Sequence, residues 1–177
     1  MFELPPIPTW DGLHPLIVHF PIALLLVAPL FVVLALLWRS HAKPLMIVAL
    51  VLMALGTVAS YVAVSTGQAA GTLAERSPEV NPVLEHHEEL AERTRLIFTV
   101  LTVVFAGLLA GPLVFRREMA RGAAVVLSLL FLAVYGAGTV VLANTAHNGG
   151  RLVHEFGIRT LMPGASPAPQ PATDSDD

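Results

Sequence analysis

Histidine is the residue type in this chain best suited to carry chemistry. There are seven histidines and no cysteine. The missing thiols exclude a disulfide framework, a thiolate zinc site, a cysteine-ligated iron–sulfur cluster and a covalent CxxCH haem attachment. His14 and His19 stand in LHPLIVHFP, His86 and His87 in HHEEL, and His147 and His154 in AHNGGRLVHEFG, while His41 stands apart. A nitrogen-only donor set suits haem iron, copper or zinc. Haem fits best between apolar helices, because imidazoles on facing helices can reach iron from both sides while the macrocycle fills the gap. Copper or zinc ranks behind it, since either needs three or more imidazoles within a few ångström. HHEEL is not the HExxH zinc motif, because Ala91 stands where the second histidine belongs.

Position sorts these candidates. His19 lies inside an apolar run, where a polar side chain must find a partner. It reads as a ligand or as a histidine bonded to a neighbouring carbonyl or tyrosine. His14 precedes Pro15, which suits a first helical turn, and reads as a ligand or as the neighbour of one. From His87, steps of three and four meet Leu90, Ala91, Thr94, Ile97, Phe98 and Leu101, an inward stripe; from His86 they meet Glu89 and Arg93, a wet face. Asn148-Gly149-Gly150 predicts the end or a sharp turn of a helix. His147 and His154 then flank it, and the two glycines let the backbone approach something closely. The expected metal ligands are His19, His87, His147 and His154, with His14 completing the cofactor-binding set. Five inward histidines suffice for one haem b or two. Arg93, Arg95 and Arg151 are the candidate partners for haem propionates.

Membrane-spanning helices must position these residues. The chain has 177 residues, 55% hydrophobic and only 13% charged, and a mean hydropathy of +0.71. That excludes an ordinary soluble enzyme and a disordered chain. A net charge of −3 gives no reason to expect nucleic acid as a partner. Four stretches, from about Leu16 to Trp38, Leu45 to Val64, Leu96 to Phe115 and Gly122 to Ala143, contain no Asp, Glu, Lys or Arg. Each is about 30 Å long as a helix, the thickness of a bilayer core, and in lipid the backbone must satisfy itself. The residues before the first stretch lack the basic n-region of a signal peptide.

Arg39, Lys43, Arg116, Arg117 and Arg121 fall in loops one and three, which the positive-inside rule places in the cytoplasm. Both termini and a long, acid-biased loop two then lie outside. Short loops one and three predict an all-α, up-down-up-down four-helix bundle in the bacterial inner membrane, with its termini on the periplasmic side. Residues 1–13 form an outer tail, 14–160 the bundle and 161–177 a disordered Pro/Ala/acidic tail. Gly107 and Gly111 form a GxxxG pair, and Gly56, Ser60, Ala63, Gly136 and Gly138 also suggest close helix packing.

The opening LHPLIVHFPIALLL and the closing AHNGGRLVHEFG resemble a bacterial family of four-helix membrane domains of unknown function, with an HPxxVHFPI start and an HxGGxLxH ending. His147, Gly149, Gly150, Leu152 and His154 match that ending. Such domains occur joined to cytochrome c or Rieske domains, so the resemblance implies redox work facing the periplasm, as in a membrane b-type cytochrome. The expectation is an electron-transfer protein rather than a stand-alone enzyme, working between quinol and an outer-side acceptor. That acceptor would be a separate cytochrome c or Rieske-type protein. The competing expectation is a non-catalytic transmembrane subunit of a larger respiratory or photosynthetic complex. A small transporter is disfavoured, since no ionisable residue lies deeper in the spans than His19.

Overall fold

The computed structural model describes residues 7–114 and 120–158. Among these there is no strand. The elements are α1 (His14–Ile17), α2 (His19–Leu37), a 3-10 turn (Arg39–His41), α3 (Ala42–Leu73), α4 (Val80–Val114) and α5 (Arg121–His154). They make four helical segments long and apolar enough to cross a membrane, α1 with α2 forming the first. Arg116, Arg117, Glu118 and the 161–177 tail lie outside the described residues.

The helices outrun the apolar stretches at one end. The segment expected as a long loop two is mostly helix, and only residues 74–79 separate α3 from α4. Two side chains account for so short a link. Arg76 donates to the Gly71 carbonyl at 3.3 Å near the end of α3, and Ser77 Oγ accepts from the Val80 N–H at 3.2 Å where α4 begins. These satisfy backbone groups that a helix end leaves bare. Asn148-Gly149-Gly150 does not end the fourth span, contrary to expectation. α5 runs through it to His154, and the chain reverses only at Gly157, at φ +65°, where the Ile158 N–H returns to the Leu152 carbonyl at 3.0 Å. A glycine costs a soluble helix about 1 kcal/mol, and Gly149 is held here by the His87 ring that packs against it.

Span one packs on span two, two on three, three on four, and span four returns to span one; spans one and three make no direct backbone contact among the described residues. The seams repeat in steps of three and four. In span one they run Pro21, Leu25, Ala28, Val32 and Ala35, and in span four Phe131, Tyr135, Gly138 and Leu142, all buried. That is the spacing of helices supercoiled gently around one another. Leu25, Val32, Met53, Phe98, Phe105, Phe131 and Tyr135 fill the centre. Gly56 and Gly138 permit the closest approaches: an added Cβ would meet Leu25 at 2.8 Å and Ile97 at 3.0 Å. The GxxxG pair does not serve this purpose within the chain, since nothing lies within 4 Å of where a Cβ would stand on Gly107 or Gly111.

Pro29 shows how the backbone is satisfied without water. Proline has no N–H, so the Leu25 carbonyl four residues earlier loses its helical donor. The Tyr135 hydroxyl, from span four, donates to that same carbonyl at 2.7 Å. A buried carbonyl left bare in a bilayer would cost several kcal/mol. Pro21 acts similarly on Ile17, and the helix is interrupted for one residue at Val18, between α1 and α2.

Candidate functional site

Two of the seven histidines turn inward and meet. His14 opens span one and His87 lies on the second turn of span three, so they approach each other across the diagonal of the four helices. Their ring centroids are 6.5 Å apart and the planes cross at 75°. Both are half-buried.

Each ring is held by the neighbouring helix in the same way. His14 Nδ1 lies 2.9 Å from the Ala63 carbonyl oxygen, with Thr66 Oγ1 at 3.2 Å. His87 Nδ1 lies 3.0 Å from the Thr145 carbonyl oxygen. A carbonyl can only accept, so Nδ1 carries the proton in both rings and the lone pair of the neutral ring sits on Nε2. Four residues beyond each accepting carbonyl stands a glycine. A Cβ on Gly67 would lie 2.7 Å from His14 Cε1, and one on Gly149 would lie 2.9 Å from His87 Cε1. Any side chain at either glycine would displace the ring it backs. Span two thus supplies Ala63 and Gly67 to His14, and span four supplies Thr145 and Gly149 to His87. Thr94 Oγ1 and Thr145 Oγ1, 2.8 Å apart, tie spans three and four beside the second ring.

This arrangement has the chemistry of a ligand pair. Metal-bound histidines regularly give their second ring N–H to a carbonyl, which fixes the tautomer and aims the other nitrogen. The spacing narrows the metal. With metal–nitrogen bonds of about 2.0 Å, two imidazoles on opposite sides of one ion put their centroids roughly 6.3 Å apart, and two at a tetrahedral angle roughly 5.2 Å. The observed 6.5 Å lies nearer the opposed value and is also the spacing of an ordinary edge-to-face ring pair. Among the described residues no group of three or more His, Asp or Glu is placed to hold a metal, so the donor set here is a pair, short of the four ligands of structural zinc.

The other candidate residues lie elsewhere. His19 is exposed on the outer face of span one, beside exposed Phe20. His147 and His154 are exposed on α5, and neither reaches the pair. Arg151 pairs with Glu155 at 2.9 Å. Arg95 stacks over the Tyr61 ring at 5.1 Å, and Arg93 pairs with Glu89. His86 faces outward, 4.0 Å from Glu89, while His87 faces inward, as helix phase dictates. His41, at the far end, stacks on Trp38 at 4.4 Å. Gly67 was not singled out in the sequence, although a signal for it exists. The buried seam of span two, Ala49, Met53, Gly56, Ser60 and Ala63, continues in the same steps to Gly67.

Residues 11–161 match the family described as Predicted membrane protein (DUF2231), and the chain belongs to that family. No curated protein and no solved structure matches it.

Proposed function

We propose that this membrane protein is a b-type cytochrome-like electron carrier in which His14 and His87 hold one haem between them. The observation that carries this reading is the matched pair. Two imidazoles lie 6.5 Å apart, each fixed through Nδ1 to a carbonyl and each backed by a glycine that leaves no room for a side chain. Haem bound there would supply reversible one-electron transfer. The chain's own residues orient the ligand nitrogens and keep bulk water from them with Leu90, Thr66 and Thr94, all buried.

The same contacts support a finer architecture. His14 near the start of span one meets Ala63 near the end of span two, and His87 meets Thr145 in the same sense. The reading is therefore an up-down-up-down bundle. Arg39 and Lys43 at the end away from the pair support a cytoplasmic position for that end, with the pair and both termini on the periplasmic side of the inner membrane. The carrier would then exchange electrons between quinol and a periplasmic cytochrome c, Rieske-type protein or larger complex.

Absorption spectroscopy on protein purified from haem-replete cells tests the reading. The expected result is a Soret band, with sharp α and β bands after dithionite reduction, lost in His14→Ala and in His87→Ala. A colourless protein that also fails to take up added hemin overturns it. Copper in elemental analysis, at one per chain and dependent on the same two histidines, replaces haem with a two-coordinate copper site.

A further inference from the structure

The end of the bundle that holds the histidine pair carries a second feature, separate from it. Between α3 and α4 lies a recess of about 290 Å³ lined by Tyr61, Glu92, Arg93, Arg95 and Leu96. It sits where the charged first half of α4 gives way to the charge-free run that begins at Leu96. In a membrane this is the level of the lipid headgroups, and Tyr61 has the position of an interfacial aromatic.

The recess contains charges of both signs, and among the described residues Arg95 and Glu92 form no salt bridge. Arg95 Cζ lies over the Tyr61 ring, 5.1 Å from its centroid, and no carboxylate among the described residues forms a salt bridge with it. Glu92 accepts one hydrogen bond, from Gln68 Nε2 at 3.1 Å, and has no cation bound to it among the described residues. Arg93 is engaged by Glu89. Below the recess Leu96, Val100 and Val103, on one face of α4, are 64%, 53% and 66% exposed, an apolar track in line with a lipid acyl chain.

A lone anion would satisfy Arg95 but meet Glu92, and a lone amine would do the reverse. A headgroup with a phosphate and a primary ammonium satisfies both. A trimethylammonium group has no N–H for Glu92, and the Tyr61 face that could receive it by cation–π contact is taken by Arg95. We infer that this recess binds the phosphoethanolamine headgroup of a membrane phospholipid, its phosphate on Arg95 and its ammonium on Glu92.

Native mass spectrometry of the delipidated full chain tests this, with phosphatidylethanolamine, phosphatidylglycerol and phosphatidylcholine of identical acyl chains and a short-chain ubiquinol as competitor. Phosphatidylethanolamine should be retained about tenfold better than either other lipid, as one charge-assisted hydrogen bond allows. Arg95→Gln should lower its retention by about the same factor. Glu92→Gln should abolish the preference over phosphatidylglycerol while leaving total lipid uptake intact. Arg95→Lys, which keeps the charge and loses the guanidinium fork, guards against a folding defect and should retain an intermediate amount. Equal retention of the three lipids, a preference for phosphatidylglycerol, or displacement by the ubiquinol overturns the inference. None of these readouts involves haem, so they stand or fall apart from the histidine pair.

Discussion

Gly67→Ala is the sharpest probe of the histidine pair, because it adds a single methyl group at a known place. That carbon would stand 2.7 Å from His14 Cε1, where ordinary contact begins at 3.4 Å. The ring must therefore retreat by roughly 0.7 Å, or the two helices must part. In the ligand-free protein His14 can swing aside at little cost. In the liganded protein it cannot, because its position is fixed from both sides, so the strain appears as lost affinity. Overpacking of this size costs about 1–3 kcal/mol, and weakening the Nδ1 bond to Ala63 adds about 0.5–1.5 kcal/mol. Together these come to about 1.5–4.5 kcal/mol, so at 1.4 kcal/mol per factor of ten hemin affinity should fall about 10- to 1,000-fold. Titration of the detergent-solubilised apoprotein with hemin, followed at the Soret band, measures it. Gly149→Ala, 2.9 Å from His87 Cε1, should behave alike, whereas Gly107→Ala, with open space at its Cβ, should leave affinity unchanged. An unaltered dissociation constant in Gly67→Ala, with Gly107→Ala as its equal, would refute the reasoning that these glycines set the rings.

Other expectations are as direct. His87→Ala should abolish the Soret band while His86→Ala leaves it intact, since only the first ring faces His14. Tyr135→Phe removes the donor to the Leu25 carbonyl and should cost about 1–3 kcal/mol. Thermal unfolding in detergent should show it, and in a Pro29→Ala background, where residue 29 regains its own N–H, the same substitution should cost measurably less; equal costs in both backgrounds would show that Tyr135 does not replace the missing donor. Because the chain has no cysteine, single cysteines report its orientation without background. An impermeant maleimide applied to spheroplasts should label Thr72→Cys and not Ser40→Cys, and the opposite pattern would invert the proposed topology.

Much of this was legible in the sequence, for one physical reason. A membrane helix declares itself by composition, and its facing by period. The four spans and the inward turn of His87 come from those two signals. Continued to the ends of the helices, the three-and-four rhythm also reaches His14 from Pro21, Gly67 from Ala63 and Gly149 from Leu142. It passes by His19, which lies five residues from His14 and therefore about 140° around the helix. Depth in an apolar run drew attention to His19, but burial within the protein is set by phase, not depth. The helix lengths were less legible. Glu85, Glu88, Glu89 and Glu92 read as a wet loop because hydropathy reports on lipid, and a helix that leaves the bilayer carries no such mark. Gly149-Gly150 read as a break because soluble helices seldom keep two glycines. At Gly149 the His87 ring occupies the space a side chain would need, while Gly150 faces open space.

The two ring mounts are copies of one another. In each, a helical hairpin carries a histidine near the start of its first helix and, on its second, a carbonyl followed four residues later by a glycine. Residues 14–73 hold one copy and residues 80–154 the other, joined only by the strand of chain at 74–79. The bundle is in this sense a pair of like hairpins with a covalent tether. Neither hairpin carries both rings, so a haem bound between them as proposed would also clamp the halves together. Cutting the tether should leave two fragments still held by the core they share, and bound haem should raise the temperature at which they part in detergent.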